Sequence, residues 1–223
     1  MLCYNRFMSI RKVNFIVGEY YHLYNRGNSK QKIFLDQEDY NHFVKLLYLC
    51  NSTRSITYRD ISMNVYDFDR EETLVYIGAY CLMPNHFHFL VKEKAENGIS
   101  KFMQKISTAY SMYFNKKYKR TGGLFEGKFK SQYIGIDRYL KYIFSYIHLN
   151  PIKLIEPKWK EIGIKNIKGA VVFLNNYQHS SYLDYLNEDR LRIKILDKKE
   201  FPKYFPSKES FKKEIFEWLN YEI

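Results

Sequence analysis

The sequence predicts an α+β protein: an antiparallel sheet with helices packed on it, followed by a mainly helical C-terminal extension. Three observations lead there. Residues 19–24, 74–82 and 86–92 are short stretches, apolar throughout or at alternate positions, which is the strand pattern. Residues 98–118 and 138–150 place apolar side chains three and four apart, as a helix packed on one side requires. Pro84 and Asn85, both turn formers, separate the second and third of those strands and make them an antiparallel hairpin.

Taken in order, residues 1–18 carry little signal, and residues 19–24 read as the first strand. Asn25-Arg26-Gly27-Asn28-Ser29 reads as a loop by composition. Asp36 is placed to cap a helix that buries Phe43, Leu46, Leu47 and Cys50. Residues 52–72 are polar without a clean period and read as a loop or small insertion. The stretch 74–82 is almost entirely apolar, which predicts a strand central in the sheet. In 98–118 the stripe is Ile99, Phe102, Met103, Ile106, Tyr110, Tyr113 and Phe114. Residues 124–134 read as a fourth strand or irregular edge. Asp137 is expected to cap the third helix, which buries Leu140, Ile143, Phe144 and Ile147 and ends at Pro151. Residues 1–151 are therefore taken as one domain. The extension, 152–223, opens on a Lys-rich stretch at 153–168, is a candidate DNA-contacting piece, and holds a segment 177–186 that is short-helical or a docking piece. It ends in a helix capped by Ser207, with Phe211, Ile215, Trp218 and Leu219 inward.

Composition narrows the function classes. Lys and Arg number 36 against 24 Asp and Glu in 223 residues, a formal +12 that suits a polyanionic partner. With 22 Tyr and 17 Phe, some aromatic rings can serve base stacking while most fill the core. Lys116, Lys117, Lys119, Arg120, Lys128 and Lys130, opposed only by Glu126 and interleaved with Phe125, Phe129 and Tyr133, form a candidate phosphate-contacting surface. Three cysteines without a CxxC pattern argue against a disulfide framework and for a reducing, cytoplasmic setting. Arg6, Arg11 and Lys12 interrupt any signal-peptide core, and no apolar run approaches the roughly 20 residues of a membrane helix.

The chemistry centres on His86-Phe87-His88. On a strand, residues i and i+2 share a face, so the two imidazoles project side by side, roughly 6–7 Å apart at Cα. Such a pair can hold one divalent metal when a further ligand completes the shell. In the third helix Tyr146 and Asn150, four apart, stack on one face at the border of the buried stripe. His148 points elsewhere, and Tyr142 lies a turn earlier as a reserve nucleophile. Tyrosine is a weak nucleophile at its ordinary pKa of about 10. A metal that polarises a phosphate offsets that weakness.

Four motifs then carry a resemblance: Tyr21-His22-Leu23-Tyr24-Asn25-Arg26-Gly27, Met83-Pro84-Asn85-His86-Phe87-His88-Phe89-Leu90-Val91, Gly123-Leu124-Phe125-Glu126-Gly127-Lys128-Phe129-Lys130-Ser131, and Tyr146-Ile147-His148-Leu149-Asn150-Pro151. From about Tyr20 to Pro151 the chain resembles the HUH-type tyrosine transposases of the IS200/IS605 kind, and within them the REP-associated tyrosine transposases. The resemblance implies a ferredoxin-like sheet. It implies His86 and His88 as ligands of Mg²⁺ or Mn²⁺, with Asn150 at the third-ligand position. Tyr146 would attack one DNA strand, leaving a 5′-phosphotyrosine and a free 3′-OH. The implied substrate is single-stranded DNA next to a hairpin, bound by a monomer or homodimer with Asn25, Arg26, Lys116, Lys117, Arg120, Lys128 and Lys130 as DNA contacts. Such a protein would be nucleoid-associated. Two other readings of the same residues stand beside this one: a hairpin-DNA-binding module on the same scaffold without chemistry, and an RNA-binding protein.

Overall fold

Strand period and helix period divide this chain into a sheet with two differently covered faces. The computed structural model describes residues 14–56, 58, 61, 63–186 and 189–217. Strand β1 (Tyr20–Arg26) leads to α1 (Gln37–Cys50). The hairpin β2 (Val75–Met83) and β3 (His86–Glu93) follows, then α2 (Gly98–Lys117) and β4 (Lys130–Ile134). The strands form one antiparallel sheet in the order β2-β3-β1-β4, the ferredoxin-like arrangement. Strand β1 runs two residues beyond the expected 24, because Asn25 and Arg26 still pair with Phe87 and His86.

Local signals explain the helix ends. Asp36 caps α1 as expected: its side chain accepts from the Asp39 N–H at 3.0 Å, and Asp39 answers with a carboxylate toward the Asp36 N–H. Phe43, Leu46, Leu47 and Cys50 are all buried. At the start of α2, Glu93 reaches forward from the end of β3, and its Oε2 accepts from the Ile99 N–H at 2.7 Å. The α2 stripe is buried from Ile99 to Phe114, with Tyr113 half-buried at its edge. Residues 52–72, where described, are irregular apart from a 3-10 turn at Val65–Asp67.

Two expectations about the second half change. Only Lys130–Ile134 of the 124–134 stretch is a strand, because Gly127, at φ 75°, belongs to a loop that joins β1 through a bridge from Phe125 to Gly27. Helix α3 (Asp137–Leu149) starts one residue earlier than expected, with Ile136 as N-cap and no side-chain cap. Asp137 is not a cap; its carboxylate accepts from the Tyr204 hydroxyl at 2.7 Å. Leu140, Ile143, Phe144 and Ile147 are buried against the sheet face opposite α1 and α2.

Strand β2 corrects a larger expectation. Its apolar sequence predicts a central strand, yet it lies at one end of the sheet. The extension covers its free edge instead. The N–H groups of Leu82 and Ser181 donate to the carbonyls of His179 and Tyr80, both at 2.9 Å, and Asp197 exchanges bonds with Ile77 through backbone and carboxylate. At Gly78 the approach is so close that an added Cβ would lie 2.6 Å from the Phe201 ring. An apolar strand reports burial, and burial does not require strands on both sides.

The extension contains α4 (Trp159–Ile162), α5 (Ile167–Asn176), α6 (Tyr182–Leu186) and α7 (Lys208–Glu217). It shares one core with α3 and the α3-facing side of β2 and β3, through residues such as Ala170, Leu174, Tyr182 and Phe211. His148 fixes this docking from the far side of α3. Its Nδ1–H donates to the Phe144 carbonyl at 2.9 Å, and its Nε2 accepts from the Ser181 hydroxyl at 2.8 Å. Ser207 caps α7 through a 3.1 Å bond from the Ser210 N–H, and Phe211 and Ile215 are buried; Trp218 and Leu219 lie outside the described residues. Cys50 and Cys81 are free and buried, and Cys3 is likewise outside the described residues. No described helix is long and apolar enough to cross a membrane.

Candidate active site

Strand alternation builds the first half of the site. On β3, Phe87 and Phe89 are fully buried toward α1 and α2, while His86 and His88 point to the α3 side. The two imidazoles stand with centroids 5.1 Å apart and planes nearly perpendicular. Strand β1 adds a third imidazole. Tyr24 pairs with His88 and His22 with Leu90, so His22 shares the face of His88 across the strands. Nε2 of His22 lies 2.9 Å from Nδ1 of His88. On the other histidine, Nδ1 lies 2.6 Å from Oδ1 of Asn85.

One of these contacts assigns a tautomer. Asn85 Oδ1 can only accept, so His86 carries its proton on Nδ1 and keeps Nε2 unprotonated. Between His22 and His88 one ring donates and the other accepts, so a single proton is shared along that contact. Burial holds the set neutral. It brings His86 down to about 4, with Lys153 adding to the effect, and His22 to about 4, with Lys160 adding. His88 is pushed well below the ordinary range by burial, then by His22 and His86. Neutral imidazoles with a bare nitrogen are the form that binds cations.

Helix α3 supplies the second half. The Tyr146 ring lies edge-on to His88 and His22, with centroids at 5.6 and 6.1 Å. The Tyr142 ring lies parallel to it at 6.2 Å, and the Lys160 ammonium stands 5.0 Å from its centroid. Burial pushes the Tyr146 phenol up to about 12, and Asn150 acts against that shift. Asn150 follows the last residue of α3, just before Pro151. It is 2% exposed, and its Oδ1 is buried without a hydrogen-bond partner. Its side chain lies close enough to His86 to raise that pKa as it lowers the Tyr146 one. A buried carbonyl oxygen without a donor is costly, and a cation would satisfy it. Among the described residues no group of three or more His, Cys, Asp or Glu could hold a metal ion, so a site built on His86 and His88 would need a donor of another kind, and the Asn150 amide oxygen is one that stands beside them.

Tyr146 stands between two cavities. The larger, about 660 Å³, is lined by His86, His88, Asn25, Arg26, Lys130 and Lys153 among others. The smaller, about 340 Å³, is lined by His22, His88, Gln132, Tyr139, Tyr142 and Lys160, and both include Tyr24 and Tyr146. The expected DNA contacts are thus spread out. Asn25, Arg26 and Lys130 surround the larger cavity, where Arg26 forms a bidentate ion pair with Glu126. Lys128 is exposed on the loop before β4. Lys116 is exposed near the end of α2, in the other layer. Lys117 is held by Asp36, Glu38 and Asp39, each at 2.9 Å, and Arg120 lies over the Phe114 ring at 5.5 Å. Sequence reading missed His22, Lys153 and Lys160. His22 did carry a signal, alternating with Tyr20 and Tyr24, but only strand pairing shows which histidine it meets.

No curated protein is a match for this chain. One solved structure similar to it is described as a REP-associated tyrosine transposase bound to a REP hairpin. It is 16% identical, with a TM-score of 0.48, over 79% of this chain and 84% of that one. The family described as Transposase IS200 like matches residues 19–150, which is more than half of the sequence and includes β1, the two-histidine strand and all of α3, so the protein belongs to the IS200-like transposase family.

Proposed function

We propose that this protein is a metal-dependent endonuclease and strand transferase that cuts single-stranded DNA beside a hairpin, with Tyr146 as nucleophile. The observation that carries this reading is the meeting of two distant segments: Tyr146 on α3 lies against His88 on β3, whose neighbour His86 shares the same cavity. The phenol oxygen of Tyr146 attacks phosphorus as the bond from phosphorus to the 3′ oxygen breaks. The phenolic proton is lost, the 3′ oxygen leaves as a hydroxyl after taking up a proton, and the 5′ phosphate stays on the tyrosine. The chain's own groups prepare this. Asn85 holds His86 in one tautomer, and His22 fixes the orientation of the His88 ring, as ligand-orienting partners do. Lys30, Lys32, Lys130 and Lys153 make the larger cavity positive, since its one acidic residue, Glu126, is already paired with Arg26, and that charge attracts a phosphate backbone. Mg²⁺ or Mn²⁺ held by His86, His88 and Asn150 would supply Lewis-acid polarisation of the phosphate.

The test is direct. Protein incubated with labelled hairpin-bearing single strands and Mn²⁺ should yield a band that survives denaturation, and peptide mass mapping should place the adduct on Tyr146. His86→Ala should lose the metal-dependent cleavage. A wild-type protein that binds hairpins tightly but never forms the adduct would instead be a silent DNA-binding member of the family.

A further inference from the structure

The family match stops at residue 150, yet the cavities beside Tyr146 are completed by residues that follow it. Lys153 sits on the 3-10 turn Asn150–Leu154 and lines the larger cavity with His86 and His88. Lys160 sits on α4 and lines the smaller cavity with His22 and Tyr142. The neighbouring Trp159 is 3% exposed, its ring 6.1 Å from that of Tyr146, which anchors α4 beside the nucleophile. Glu156 accepts the N–H groups of Lys165 and Asn166 and closes the loop that carries α4. Both lysines are exposed, and among the described residues neither takes part in an ion pair. Arg26, in the same larger cavity, is already committed to Glu126. Two ammonium groups outside any ion pair thus flank one phenol, each lining a separate cavity.

We propose that Lys153 and Lys160 bind backbone phosphates on opposite sides of the bond that Tyr146 attacks, so that the single strand crosses the tyrosine from one cavity into the other. This rests on Tyr146 being the nucleophile. The segment after the family core is then part of the active site, and it sets where along the strand the scissile phosphate stops. Phosphate contacts fix register without reading sequence, which suits lysine, a point charge on a flexible stem.

The experiment uses full-length protein carrying Tyr146→Phe, without added metal, and a fluorescent single strand running from a hairpin through the cleavage position mapped with the wild type. Affinity is measured over a range of salt. Each lost phosphate contact on a single strand lowers the slope of log affinity against log salt by about 0.7. Lys153→Ala and Lys160→Ala should each lower the slope by about 0.7 and weaken binding several-fold, with additive effects. The arginine variants should restore the slope. Lys101→Ala, on the exposed side of α2, should leave it unchanged. Truncating the strand at the cleavage position should abolish the effect of one lysine and spare the other. Unchanged slopes, or the loss of both effects on the same truncation, would overturn the proposal. Adduct formation by the wild type is scored separately. If the wild type forms the Tyr146 adduct while the slopes stay unchanged, the lysine assignment alone fails; if no adduct forms, the parent reading fails.

Discussion

Along β3, Phe87, Phe89 and Val91 point into the layer made with α1 and α2, whereas His86, His88 and Leu90 point toward α3. The first layer is closed by packing alone. Its aromatic rings stack on one another, as Phe87 does on Phe89 at 4.6 Å, and its main cation, Lys117, is taken up by Asp36, Glu38 and Asp39. The second layer is apolar where α3 and the extension cover it. Elsewhere it opens into two cavities lined by imidazoles, a phenol and lysines, the larger beside the Pro84–Asn85 turn and the smaller beside Gln132 of β4. A β-strand can serve both purposes because alternate residues answer to different neighbours. Stability can be concentrated on one face while the other keeps polar groups with bare lone pairs.

The sharpest way to break this comparison is Tyr146→Phe. It should abolish covalent DNA attachment entirely while hairpin affinity stays within about twofold, since one hydroxyl is lost and no ring. On the closed face Phe89→Ala should cost about 3–5 kcal/mol, read as a lower urea midpoint, because a fully buried ring leaves a cavity among its neighbours. If Phe89→Ala were tolerated while a cavity-lining residue such as Tyr142→Ala unfolded the protein, the division of labour between the faces would be reversed.

Acid should act on the histidine-bearing side. Burial brings His148 down to about 3, so its neutral form is favoured in the folded state, while the unfolded chain takes up a proton near 6.5. The stabilising contribution is therefore present above pH 6.5 and is lost as pH falls toward 3. At pH 5, His148 alone accounts for about 2 kcal/mol. Urea unfolding at pH 7 and pH 5 should show that loss, and His148→Gln should reduce it by the His148 share, leaving the part due to the other buried histidines. His179 is lowered in the same direction, to about 4, by burial and by Arg192.

A smaller effect should separate two lysines expected to contact DNA. Lys117→Ala leaves the buried Asp39 carboxylate without its cation and should cost about 1–2 kcal/mol, reduced by the partial exposure of the lysine. Lys130→Ala should leave stability unchanged and lower the salt slope of DNA binding by about 0.7. Equal salt effects from both would show that the ion-paired cluster opens to take DNA.

Much of this organisation was legible in the residues. Asp36 followed by Asp39 announces the start of α1, and the stripe from Ile99 to Phe114 announces the buried side of α2, because both rules act within a few residues. Asp137 obeyed the same composition rule and was still not a cap, since a tyrosine 67 residues away takes its carboxylate. The apolar run of β2 gave its burial correctly and its position wrongly, because the covering chain comes from 179–197.

The sequence by itself determined which residues share a face: His86 with His88 through the two-residue strand period, and Tyr146 with Asn150 through the helical turn. Only the tertiary structure decided that β1 lies beside β3, so that His22 meets His88. It alone decided that α3 packs over that face with the Tyr146 ring beside the imidazoles, and that Lys153 and Lys160 close in from the extension. The reason is physical. Dihedral geometry repeats every two or 3.6 residues and is written locally, whereas strand pairing and helix docking are settled by the burial of whole faces drawn from distant parts of the chain.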